Sequence, residues 1–167
     1  MLYPSRILTL IFGVCALLTA CGEDAEDAGA RDVLVGMMGP AGGELVGERG
    51  TALEGVTLSV PEGSLTEDVR VEVQQVQDDT PLPENAFSIG EQFGVSSDGS
   101  LGASARLTVP FDPEQLRQLI DDIEGVKVWR RADEGWVTAE VLLRQDARVT
   151  VALDTPSTYG PGVRLDE

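Results

Sequence analysis

The feature that most limits what this chain can fold into is a period-two alternation of aliphatic and polar residues, which recurs from Asp32 onward. Val56, Leu58 and Val60 are interleaved with Thr57 and Ser59. Val69, Val71 and Val73 alternate with Arg70, Glu72 and Gln74. Leu107, Val109 and Phe111 alternate with Arg106, Thr108 and Pro110, and Val149, Val151 and Leu153 with Arg148, Thr150 and Ala152. Successive side chains of a strand point to opposite faces, so each run reads as a strand with one face in a core and the other in water. Turn chemistry falls between the runs, at Gly39-Pro40-Ala41-Gly42-Gly43, Pro61-Glu62-Gly63, Asp78-Asp79-Thr80-Pro81, Asp98-Gly99 and Asp133-Glu134-Gly135. The last predicts a hairpin joining residues 126–131 to residues 136–143. Many short strands at this spacing predict an all-β fold, a β-sandwich.

One segment breaks the pattern and predicts a short helix near residues 113–124. Asp112 can cap it, Pro113 suits the first helical position, and Gln115 completes a capping box. Leu116, Leu119, Ile120 and Ile123 then form an apolar stripe, and Gly125 ends it.

The first 20 residues have a different logic. A short leading segment carries Arg6, and an apolar run of 12 residues follows at 7–18. About 20 apolar residues are needed to span a hydrocarbon core, so this run is too short to cross but suits an export signal. Leu18-Thr19-Ala20-Cys21 resembles the lipobox of bacterial lipoproteins. That resemblance implies cleavage before Cys21 and attachment of a diacylglycerol to its thiol through a thioether. Several acyl chains on one residue anchor firmly, where one chain is marginal. Gly22 in the next position, rather than Asp, favours the outer membrane of a Gram-negative envelope under the sorting rules of that family. The expected organisation is therefore a signal peptide at 1–20, an acidic flexible tether at 21–31, a sandwich domain at 32–160 and a tail at 161–167.

Charge and cysteine content narrow the function. The chain has 29 acidic and 12 basic residues, a formal charge of −17, and loss of Arg6 with the signal makes the mature chain −18. Such an anion is a poor ligand for nucleic acid, whose phosphates need Lys and Arg. Of the two cysteines, Cys15 leaves with the signal and Cys21 takes the lipid, so no disulfide is expected. The domain is expected to be a monomer that meets the membrane through its anchor, with an envelope protein or a glycan as partner.

A more specific pattern lies inside the sandwich. Gly42-Gly43-Glu44-Leu45 is followed by Gly55-Val56-Thr57-Leu58-Ser59-Val60-Pro61-Glu62-Gly63-Ser64-Leu65. This resembles the ZU-five domain, a β-sandwich module of ankyrins, netrin receptors and tight-junction scaffolds. The resemblance extends through Ser97-Asp98-Gly99, Pro110-Phe111-Asp112 and Gly135-Trp136, covering roughly residues 35–159. It implies a domain that binds or supports other proteins. Some animal relatives cut themselves at His-Phe-Ser; here the triplet is Ala86-Phe87-Ser88 and the chain has no His, so no self-cleavage is expected. In physical terms Gly43 is expected to let the chain turn and approach closely, Pro61 to end a strand, Gly63 to take a positive φ, and Leu65 to return to the core.

The inventory of reactive groups points away from catalysis. Without His the usual general base near neutral pH is missing. Lys127 alternates with Val126 and Val128 and reads as a solvated face residue. No nucleophile elbow or phosphate loop is present, and zinc lacks its usual ligands. The expectation is a non-enzymatic interaction or structural module with no cofactor, no metal and no catalytic residue. The alternative is a glycan- or calcium-binding module. Calcium ligands would come from Asp78-Asp79, Asp121-Asp122 with Glu124, or Asp133-Glu134. A sugar platform would come from Trp129 and Trp136, if both are exposed on one face of their hairpin.

Overall fold

The computed structural model describes residues 33–165. The expected signal, Cys21 and the tether lie outside the described residues. Twelve strands are present among the described residues, arranged as two antiparallel sheets, and the fold is an all-β sandwich. The first sheet contains β1 (Val33–Met38), β4 (Val69–Val76), β6 (Gln92–Ser97), β12 (Thr158–Arg164), β8 (Val126–Ala132) and β9 (Gly135–Thr138), in that spatial order. The short β5 (Ala86–Ser88) pairs with β12. The second sheet runs β10 (Val141–Gln145), β11 (Arg148–Ala152), β7 (Arg106–Pro110), β3 (Thr57–Val60) and β2 (Gly43–Val46).

The alternation in the sequence sets which face each strand buries. All twelve aliphatic or aromatic residues of the four alternating runs are buried. In the second sheet Leu45, Leu58, Leu107 and Val151 lie side by side across four strands and face the core. The next row, Thr57, Thr108 and Thr150, lies on the outer face, where the Thr108 and Thr150 hydroxyls share a hydrogen bond of 2.8 Å. No charged or polar residue is fully buried among the described residues, so the core is held by apolar packing.

Three expectations need correction. The helix α1 (Pro113–Leu119) begins where expected, with Asp112 Oδ1 accepting from the Glu114 and Gln115 amides. It stops at Ile120, which is extended, and Asp122 caps a separate 3-10 turn at Ile123–Gly125. The adjacent acids Asp121 and Asp122 favour caps over helix interiors, so the apolar stripe is divided between two elements. The Asp112 amide donates to Ile89 O at 2.6 Å, which replaces the Gln115 half of the expected capping box.

The long arm of the predicted hairpin is also divided. β9 ends at Thr138; the Ala139 amide still bonds Val128 O, and then Glu140 carries the chain across to β10 in the other sheet. The third correction is at the C-terminal side. Residues 161–164 are not tail but the second half of β12, buried through Val163 and exposed at Arg164. Proline is unusual in a central strand because it cannot donate. Here Pro161 sits where the neighbour of β12 changes from β6 to β5. Its carbonyl accepts from Ile89, and a Cβ on Gly90 would lie 2.9 Å from its ring. The missing amide thus falls at a corner where the ladder is already interrupted.

Candidate functional site

The family-like block proves to be one local structure. β2 and β3 pair from Gly43–Val60 to Val46–Thr57, so the two halves of the motif are neighbouring strands. At their end the Gly63 amide donates to Pro40 O at 2.8 Å, docking one turn on the other. Gly63 has φ +76°, as expected, and Leu65 is buried. Both glycines of the pair are closely approached: a Cβ on Gly43 would lie 2.7 Å from the Met38 sulfur, and Gly42 faces backbone. Gly42 has φ +72°, and a Cβ there would lie 2.5 Å from Val60 O and 2.7 Å from the Glu62 nitrogen. These residues form turns and core.

The two tryptophans share one face, but not an exposed one. Trp129 pairs with Thr138 and Trp136 with Arg131, which places both rings on the outer face of the first sheet. Trp129 is 3% and Trp136 is 7% exposed. A Cβ on Gly162 would meet the Trp129 Nε1 at 2.8 Å and Phe87 O at 2.6 Å, so Trp129 lies against bare backbone of β12. Its indole N–H is buried without a hydrogen-bond partner. Trp136 is reached by the segment that follows β4: its Nε1 donates to Thr80 O at 2.9 Å. That segment is held at its base by an Asp78–Arg131 ion pair of 3.4 Å and by the Asp78 amide donating to Gln92 Oε1. Hydrogen bonds from Thr80, assisted by Arg131, hold the Asp78 carboxyl below its ordinary range. Nothing in the alternation of 126–138 signals this cover; the clue was only that Trp129 is out of phase with the core-facing valines.

The acids singled out for calcium are engaged separately. Asp78 is bound as described. Asp122 caps the 3-10 turn, and Glu124 pairs with Arg144 at 3.3 Å. Among the described residues no three of His, Cys, Asp and Glu converge on a common point. Asp133 and Glu134 occupy an exposed two-residue turn between the paired Ala132 and Gly135. Lys127 is half-buried on the outer face, in register with Gly162. Ser88, in the triplet compared with the self-cleaving relatives, donates to Gly90 O at 2.8 Å.

Beside the tryptophans, at the open end of the sandwich, Arg130 reaches Asp154 at 3.6 Å and the Thr155 hydroxyl at 3.1 Å. Beneath them Tyr159 is fully buried and donates to Thr155 O at 2.5 Å, four residues back. Burial, with the nearby Asp154 charge, pushes its phenol up to about 12. The arrangement is a tyrosine corner, a device that pins a loop to a sandwich. An open depression follows this end, lined by Arg130, Arg131, Asp133, Thr155 and Ser157. Its cations are paired and its hydroxyls bonded to backbone or neighbours, including Ser157 to Arg131 O. No family model matches the chain, and a search of curated proteins finds no match.

Proposed function

We propose that this protein is a lipoprotein held in the cell envelope by acyl chains on Cys21, with a ZU-five-like sandwich that serves as a non-enzymatic interaction or structural module. The proposed location is the outer membrane of a Gram-negative bacterium. The observation that best supports the module reading is the use made of the motif residues. Gly42, Pro61 and Gly63 bring the two halves of the block together, Leu65 joins the core, and the side chains with the most chemistry, Trp129, Trp136, Asp78 and Tyr159, serve packing and loop attachment. The anchor is supported by the apolar run, the small residues before Cys21, and the Gly- and acid-rich stretch that separates it from β1.

Fractionation tests the anchor. The wild-type chain should sediment with membranes and yield a diacylglyceryl-modified Cys21 by mass spectrometry. Cys21→Ser should appear in the soluble fraction with its thermal melt unchanged. Membrane retention of that variant would overturn the anchor reading. Affinity purification of the lipidated protein from its own envelope, checked against the soluble variant, tests the interaction module.

A further inference from the structure

The strands with a single ladder partner are not equally protected, and β5 among them has only three residues. An open strand edge invites pairing with another chain, and proteins blunt such edges with charge, bulges or shortness. β2 has four residues and carries Glu44; β9 also has four. β10 has a register break between Val141 and Leu143 and carries Arg144. β1 has none of these features. It runs for six residues, Val-Leu-Val-Gly-Met-Met, in unbroken register with β4, without charge or proline. Val35 is 49% exposed and Met37 62%, both on the outer face. Among the described residues no strand pairs with its other side.

The charge around β1 selects the occupant. Glu72 lies beside Val35 in the ladder. Asp68 packs against Gly39, and Glu62 belongs to the turn docked on Pro40. Asp98 accepts from the Arg70 amide, while Arg70 is the nearby cation and is paired with Glu72 at 3.4 Å. An uncharged strip with an acidic surround repels a second copy of itself and attracts a cation-flanked segment. We propose that β1 is a strand-addition site, which takes an extended segment of another protein bearing alternate apolar side chains flanked by Lys or Arg. Main-chain hydrogen bonds supply affinity, Val35 and Met37 supply the apolar contact, and the surrounding carboxylates select the flanks. This deepens the interaction-module reading and rests on it.

The test uses the full chain in detergent and two labelled nine-residue peptides, Lys-Lys-Val-Thr-Val-Thr-Val-Lys-Lys and its counterpart with Glu for every Lys. Fluorescence anisotropy should show saturable binding of the Lys probe, weakened by salt, and at least about tenfold weaker binding of the Glu probe. Met37→Lys alone, and Val35→Lys with Met37→Lys, should weaken the Lys probe about tenfold without moving the melting temperature, because both side chains are exposed. Leu143→Lys on β10 should leave binding within about twofold. Hydrogen exchange should slow at amides 33–38 when the probe is bound. Equal affinity for the two probes, no saturable binding of either, or binding indifferent to the β1 variants overturns the proposal. So does sedimentation showing a dimer that the β1 variants dissolve, which would make a second copy the occupant. Binding that emerges only on deletion of residues 21–31 would make the chain's own tether the occupant. Because these measurements are made in detergent, they do not depend on where Cys21 places the protein. A partner recovered from the envelope that still binds the β1 variants would leave the module reading intact and remove this site.

Discussion

Tyr159→Phe isolates a single oxygen, the one that ties the Thr155 loop to the start of β12. The ring stays, so the buried apolar surface is nearly unchanged, but the donor to Thr155 O is lost. Removing one partner of a buried hydrogen bond costs about 1–3 kcal/mol. The 133 described residues, 33–165, have an unfolding entropy of roughly 0.3 kcal/mol per degree, so the melting temperature at pH 7 should fall by about 3–10 °C. The pH dependence supplies an independent check. The phenol is raised from its ordinary value of 10.0 to about 12 because burial penalises the phenolate. For a neutral acid held above its unfolded value, the stabilisation is complete below pH 10 and is lost as pH rises from 10 through 12. At pH 11.5 the wild type should have lost about 2 kcal/mol through this residue, and Tyr159→Phe loses nothing by that route. Urea melts followed by tryptophan fluorescence at pH 7 and 11.5 measure both values, and charges common to the two proteins cancel in the difference. The only other tyrosine is Tyr3. In a Tyr3→Phe background, phenolate absorbance therefore reports Tyr159 alone. Ionisation near pH 10, or a penalty for Tyr159→Phe that is the same at both pH values, would refute the reasoning.

Two other substitutions contrast backbone strain with close contact. Gly42→Ala combines a positive φ with a Cβ 2.5 Å from Val60 O and should cost several times as much as Gly63→Ala, whose Cβ meets nothing within 4 Å. The expectation is about 1 kcal/mol for Gly63→Ala and more than about 3 kcal/mol for Gly42→Ala, read by urea melts. The cover over Trp136 should loosen in acid: Asp78 is held below its ordinary range, so its contribution is present above the unfolded carboxylate value near 4 and is lost as pH falls through the lower folded value. Acrylamide should quench both tryptophans weakly at neutral pH and Trp136 more strongly in acid, and Asp78→Asn should show the looser behaviour at pH 7. Strong quenching of both rings at neutral pH would contradict their burial.

The inward face of the sandwich was legible because one physical rule, alternation across a pleated strand, decides it, and the four alternating runs alone mark twelve core residues. β1 and β12 were not legible in this way. β1 is apolar on successive residues, and β12 contains Gly160-Pro161-Gly162, which resembles turn chemistry. What makes β12 a strand is distant in sequence: Gln92 and Trp129 cover the bare glycines, and Gly90 leaves space for the proline ring. The helix boundary failed for a nearer reason, a pair of caps at Asp112 and Asp122 where the apolar stripe implied one. In the candidate site, the shared face of Trp129 and Trp136 followed from strand phase. Trp129 is buried against the glycine backbone of β12, and Trp136 is tied to the Thr80 carbonyl, contacts that carry no sequence signature.

The position of β12 has a consequence for how the molecule forms. β1, β4 and β6 make one part of the first sheet, and β8 and β9 make the other; the ladder between these parts runs through β12. Synthesis proceeds from the N-terminus, so the two parts of the first sheet cannot be joined until residues 158–164 become available to bridge them. The domain therefore stays open through most of its own production. A chain cut short before Thr158 would hold an unzipped sheet, and one that includes Arg164 is able to close it.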